Sequence, residues 1–159
     1  LSLVGSEMCI RDSVTTEFGE FRLDVWRDVI FDEHHFSLTK GSPEKADVPM
    51  VRVQTQSVLQ DTLGIDEIGK KWSIRKSLQK ISDEGTGVFV LINHRDAKTY
   101  WLSSLKDENI EPKRNRRVIG IGSQILRSLG LSRINVLGTP TKYSGLSGFN
   151  IEIEGFIDE

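Results

Sequence analysis

The chain has 159 residues, of which 37% are apolar and 28% charged, with a formal net charge of −2 and a single cysteine. That composition fits one core-forming domain, excludes a disordered tail, and gives no global pull toward nucleic acid. The longest apolar run, Val88 to Ile92, falls well short of the roughly 20 residues of a spanning helix, so no membrane partner is expected. Cys9 alone can form neither an intramolecular disulfide nor a multi-thiolate zinc site, which points to reducing, cytoplasmic surroundings.

Residues 1–13 (LSLVGSEMCIRDS) show no clear period and lack the basic flank of a signal peptide. They resemble translated sequencing-adapter sequence and are set aside as adapter-derived or disordered, a frayed native N-terminus being the alternative. The domain is therefore taken as residues 14–159. From Val14 onward, Phe18, Phe21, Leu23 and Val25 give a rough period of two, and a second run at Phe36 and Leu38 predicts a β-hairpin. The charged stretch Asp32, Glu33, His34, His35 lies near its turn. Lys40 to Pro49 is polar and loop-like, and Met50 to Gln54 reads as a strand with Val51 and Val53 facing the core.

Ser73 precedes Ile74, Leu78 and Ile81, which share one helical face, and Gly85 carries the right chemistry for the helix C-terminus. Gly87 to Asn93 (GVFVLIN) is a continuous apolar run, the pattern of a central strand buried on both faces. A second helix is predicted over 115–129, with Ile121, Ile125 and Leu129 on one stripe and Gly130 ending it. Ile134 to Leu137 follows as a buried strand, Tyr143 to Gly148 as a turn or helical piece, and Asn150 to Ile153 as a closing strand. This order predicts an α/β fold, with α+β as the variant: a mixed β-sheet with helices packed on it.

Chemistry-bearing residues are sparse. His34 and His35 point to opposite faces of a strand, and no cysteine or third nearby histidine completes a ligand set, so no metal role is read there. His94 stands just past the central strand, where α/β sheets place ligand-contacting groups, although a loop histidine is the commoner outcome. Lys113, Arg114, Arg116 and Arg117 open the second helix and could hold a phosphate beside its first N–H groups; a solvated basic turn is the competing reading. Gly120 and Gly122 in VIGIGSQIL lack the third glycine of a dinucleotide loop and fit close helix packing better. Thr55, Ser57 and Ser73 have no base and orienting acid nearby. With a short basic cluster and no aromatic platform, nucleic-acid binding is not expected.

Several strings in order resemble the GTP cyclohydrolase II domain of riboflavin biosynthesis over roughly Thr16 to Ile153. They are Phe18-Gly-Glu-Phe21, Met50-Val-Arg-Val-Gln54, Asp83-Glu-Gly-Thr-Gly-Val88, Leu126-Arg-Ser-Leu-Gly130 and Ile134-Asn-Val-Leu-Gly-Thr-Pro140, with Lys142 at the family's lysine position. The resemblance implies a zinc ion held by three cysteines, whose positions here read Ser57, Ile68 and Lys70. The family's histidine and glutamate of the first motif correspond to Gln54 and Gln56, and its Gln-Glu-Gly-Arg loop to His94-Arg-Asp-Ala97. Of its Asp-x-Arg pair, whose arginine attacks the α-phosphate, Arg117 remains while Asn115 replaces the acid.

Zinc-activated water is what the family uses to open the purine ring. The departures therefore imply no catalytic residue, no bound metal and no cofactor. They leave a degenerate domain of the kind found C-terminal to 3,4-dihydroxy-2-butanone 4-phosphate synthase, fused to or associated with that enzyme, in a reading frame expected to continue upstream of Val14. The alternative is a residual site for the phosphates of GTP or another nucleotide, formed by Arg52, Arg117 and Lys142. An active cyclohydrolase is the weakest reading. Homodimerisation is left open by the residues.

Overall fold

The computed structural model describes residues 6–65, 72–93, 112–140 and 150–158, and the backbone alone for 6 and 112–116. Extended segments rich in β-branched and aromatic residues pair into one seven-stranded sheet: β1 (Ser6–Thr16), β2 (Gly19–Asp28), β3 (Glu33–Lys40), β4 (Met50–Thr55), β5 (Gly87–Ile92), β6 (Arg133–Leu137) and β7 (Glu152–Ile157). Across the sheet the order is β1-β2-β3-β5-β4-β6-β7. The first half, through the β3–β5 pair, is antiparallel, and the pairs β5–β4, β4–β6 and β6–β7 are parallel. The α/β expectation of a mixed sheet covered by helices is met. The central strand is β5, fourth of the seven, with all but Leu91 buried.

Each helix forms where its capping chemistry permits. Helix α1 (Ile74–Glu84) starts at Ser73, whose Oγ accepts the Lys76 N–H at 3.2 Å, and stops at Gly85, whose φ of 79° ends the turn without a Cβ clash. Its buried Leu78 and Ile81 pack with Phe21, Met50, Phe89 and Leu137 on one face of the sheet. Helix α2 (Pro112–Ser128) lays Ile121, Ile125 and Leu126 on the other face, over Trp26, Val51, Val88 and Val90. A Cβ on Gly122 would sit 2.7 Å from Val53 Cγ1, so glycine is what lets α2 approach β4 this closely. The close-packing reading of that glycine fits this contact.

Three differences from the sequence expectation have local causes. Residues 6–13, set aside above, lie in β1 and pair with β2 from Arg22 to Asp28; pairing at an edge uses backbone N–H and C=O groups and asks little of the side chains. The β2–β3 turn is 29–32, closed by a left-handed Asp32 at φ 51°, so Glu33, His34 and His35 belong to β3. The closing strand runs Glu152–Ile157, later than the 150–153 expected, because Asn150 takes a left-handed turn conformation at φ 57°. Tyr143 to Gly148 lies outside the described residues.

Candidate functional site

Strand register makes the most concentrated polar cluster. In the antiparallel β2–β3 pair, Asp28 faces Glu33 and Trp26 faces His35. Period two then sends Asp28, Glu33 and His35 to the α2 side of the sheet. All three are buried, at 4%, 6% and 0% relative exposure. From α2, Arg117 donates through Nη2 to Glu33 Oε2 at 2.6 Å and to Asp28 Oδ2 at 3.4 Å, with its guanidinium 3.6 Å from the centre of the Phe31 ring. The second oxygen of Asp28 shapes the turn, accepting the N–H groups of Ile30 at 2.9 Å and Phe31 at 3.3 Å.

His35 is the unusual member. Its Nδ1 accepts the Asn93 N–H at 3.0 Å, just beyond the carboxyl end of β5. A ring nitrogen that accepts carries no proton, so in the neutral imidazole the proton sits on Nε2. Nε2 is buried and has no hydrogen-bond partner among the described residues. Burial pushes the His35 pKa below its ordinary value; Asp28 and Glu33 oppose that shift, while Arg117 and His34 add to it. The exposed His34 points the other way, as the sequence predicts.

A second polar group lies on the α1 face, toward the carboxyl end of β4. The buried Arg52 donates to Gln54 Oε1 at 2.8 Å, to the Leu137 carbonyl at 2.7 Å and to the Trp72 carbonyl at 3.2 Å. Gln54 is buried beside it, whereas Gln56 is exposed. Ser57 caps a π-helical turn (Val58–Thr62): its Oγ accepts from Gln60 N, and its own N–H donates to Asp61 Oδ2 at 2.7 Å. Asp61 Oδ1 accepts the Ile74 N–H at 3.2 Å, which ties this turn to the start of α1.

Of the residues singled out by sequence, Arg52 and Arg117 reach opposite faces of the sheet, because Arg52 alternates with the α2-facing Val51 and Val53. Lys142, Ile68, Lys70 and His94 to Ala97 lie outside the described residues, as do the side chains of Lys113, Arg114, Asn115 and Arg116. Asp28 and Glu33 were not singled out, since only the hairpin register places them beside His35.

These features can be set beside known proteins. A family model described as GTP cyclohydrolase II matches residues 7–158. A 3,4-dihydroxy-2-butanone 4-phosphate synthase of Pseudomonas aeruginosa is 28% identical over 157 residues, covering 95% of this chain and 43% of that protein. The riboflavin biosynthesis protein RibBA of Cytophaga hutchinsonii is 30% identical over 167 residues, covering 96% of this chain and 41% of that protein. Among solved structures, RibBX, a two-domain 3,4-dihydroxy-2-butanone 4-phosphate synthase from A. baumannii, superposes with a TM-score of 0.68 at 27% identity, over 98% of this chain and 41% of that one. The chain thus spans about two fifths of the length of each of these relatives.

Proposed function

The chain belongs to the GTP cyclohydrolase II family, and from that premise we propose that it is a non-catalytic member supporting a fused or associated 3,4-dihydroxy-2-butanone 4-phosphate synthase in the cytoplasm. One observation carries the proposal. A zinc site of the family's three-cysteine kind needs thiolates, and the chain contains only Cys9, which lies exposed on the outer strand β1.

The residues at hand do not fit that ion. Ser57, at one of the cysteine positions, is engaged as a cap: its hydroxyl and its N–H are bonded to Gln60 and Asp61. A serine hydroxyl remains protonated at neutral pH and is a poor substitute for a thiolate, and an ammonium such as Lys70 repels a dication. Gln54, where the family has an ionisable side chain, is occupied by Arg52. Without metal, the lowered water pKa that supplies hydroxide at neutral pH is lost. Fold and ancestry persist here without the site chemistry.

The supporting role draws on the relatives. The P. aeruginosa and A. baumannii proteins carry the synthase name, and the matched part is about two fifths of each. A domain without chemistry of its own still contributes by packing against an active neighbour.

A residual nucleotide-phosphate site is the second reading, favoured by the start of α2 at Pro112, immediately before Lys113 and Arg114. Arg52 and Arg117 weigh against it as partners in one site, since both donate to protein acceptors on opposite faces. Calorimetric titration of GTP separates the two readings. No saturable heat is expected, and saturable binding lost on changing Lys113 and Arg114 to glutamine would establish the nucleotide site instead.

A further inference from the structure

The β2–β3 turn presents Val29, Ile30 and Phe31 to solvent, at 46%, 61% and 48% exposure. Tight turns are ordinarily built from Gly, Pro, Asn, Asp and Ser, and three consecutive exposed apolar side chains serve no need of the fold itself. Unlike the exposed Met8 and Ile10, these three fall outside the segment set aside by sequence.

The turn is also held in one shape. Asp28 Oδ1 accepts the Ile30 and Phe31 N–H groups at 2.9 and 3.3 Å. Asp32 closes the turn at φ 51°, and its Oδ1 accepts from Arg27 Nε at 3.1 Å. From α2, the Arg117 guanidinium lies 3.6 Å from the centre of the Phe31 ring. A loop fixed by its own hydrogen bonds and by a cation on its aromatic ring loses little conformational freedom when it docks. The turn is therefore a preorganised apolar knob.

Its size chooses the occupant. Three half-exposed side chains of this class offer on the order of 300 Å², from roughly 150–250 Å² for a large side chain. Doubled for two partners, that is about 600 Å², the lower limit for an interface between domains of one chain and well short of the roughly 1,200–2,000 Å² of a free-standing complex. A second copy free in solution is not held by so small a patch, whereas a neighbour on the same polypeptide is present at high effective concentration. Arg27 beside the knob is neutralised by Asp32, which removes the charge that would draw the turn to an anionic membrane. The chain spans about two fifths of relatives that carry the synthase name. On the premise of the supporting role proposed above, we infer that Val29, Ile30 and Phe31 insert into an apolar socket of a 3,4-dihydroxy-2-butanone 4-phosphate synthase domain on the same polypeptide.

The test uses the full-length product of the source gene with p-benzoylphenylalanine in place of Ile30, irradiated and mapped by mass spectrometry. The expected result is an intramolecular cross-link to peptides of the synthase domain, most of which is lost when Val29→Ser and Phe31→Ser are added together. Serine at exposed turn positions leaves the fold intact, which circular dichroism verifies. The same photoprobe at the exposed Glu20, at the other end of β2, should give no such cross-link, a control that stands even if the serine variant does not fold. Cross-links only between separate copies, equal cross-linking from positions 20 and 30, a yield unchanged in the folded serine variant, or no cross-link would overturn the docking surface alone. Sedimentation with phosphatidylserine vesicles that depends on the same side chains would assign the knob to a lipid surface instead and overturn it too. A full-length product without a synthase domain likewise overturns the inference, and one whose synthase activity and stability are indifferent to deletion of this domain overturns the supporting role beneath it.

Discussion

His35 and Arg117 show how much of this protein depends on individual side chains placed by strand register. The sequence predicts that His34 and His35 point to opposite faces, and they do; that follows from period two alone. It does not reveal that His35 meets Asp28 and Glu33, because the positions of turn and register set those neighbours, and the turn lies at 29–32 rather than among the charged residues that follow. A pH effect follows from this placement. The folded-state pKa of His35 lies below its unfolded value, so the unfolded chain binds more protons whenever the pH is near or below the ordinary histidine value of about 6.5. Stability attributable to His35 is therefore present above that pH and is lost as pH falls toward the depressed folded value. Urea denaturation between neutral and mildly acidic pH should show this decline in the wild-type protein and a shallower one in His35→Gln. Identical slopes would show that burial of the ring does not govern the titration.

At the scale of elements, the helices were the most legible part of the sequence. Ser73 and Gly85 bracket α1 as cap and stop, and the apolar stripe of Ile121, Ile125 and Leu129 faces the sheet as its spacing requires. Strand β5 was legible too, since a run such as GVFVLI has no polar face to expose. The burial pattern of β2 was not. There the fully apolar Leu23 and Val25 are only half-buried, while Asp24, Trp26 and Asp28 are buried on the opposite face. The Trp26 Nε1–H donates to Ser37 Oγ at 2.9 Å and Asp28 bonds the turn, so the hydrogen bonding that makes polar burial affordable comes from the neighbouring strand and the hairpin, out of reach of a single-strand pattern. The contact between α2 and β4 yields a quantitative expectation. With 2.7 Å between a Cβ at position 122 and Val53 Cγ1, Gly122→Ala should destabilise by about 1–3 kcal/mol, the usual cost of overpacking. Removing the obstruction with Val53→Ala in the same chain should recover part of that loss. The two urea denaturation midpoints check it, and a neutral Gly122→Ala would mean that α2 can shift away from the sheet at little cost.

For the molecule as a whole, the family was legible because short strings kept their order along the chain, and the family model spans residues 7–158. The distribution of the candidate residues was less so. Arg52 and Arg117 look equivalent as carried-over phosphate ligands, yet alternation along β4 turns Arg52 toward α1 while α2 carries Arg117 onto the opposite face. Lys142 lies outside the described residues. Two arginines separated by a sheet do not converge on one triphosphate, which is why the supporting role is preferred to the nucleotide-binding one. The central claim, that a chain with one cysteine has lost the cyclohydrolase reaction, is met most directly by assaying formate release from GTP with zinc supplied. Purified protein should release no formate above a heat-killed control over prolonged incubation. Sustained release that scales with protein concentration and is abolished by a chelator would contradict the account.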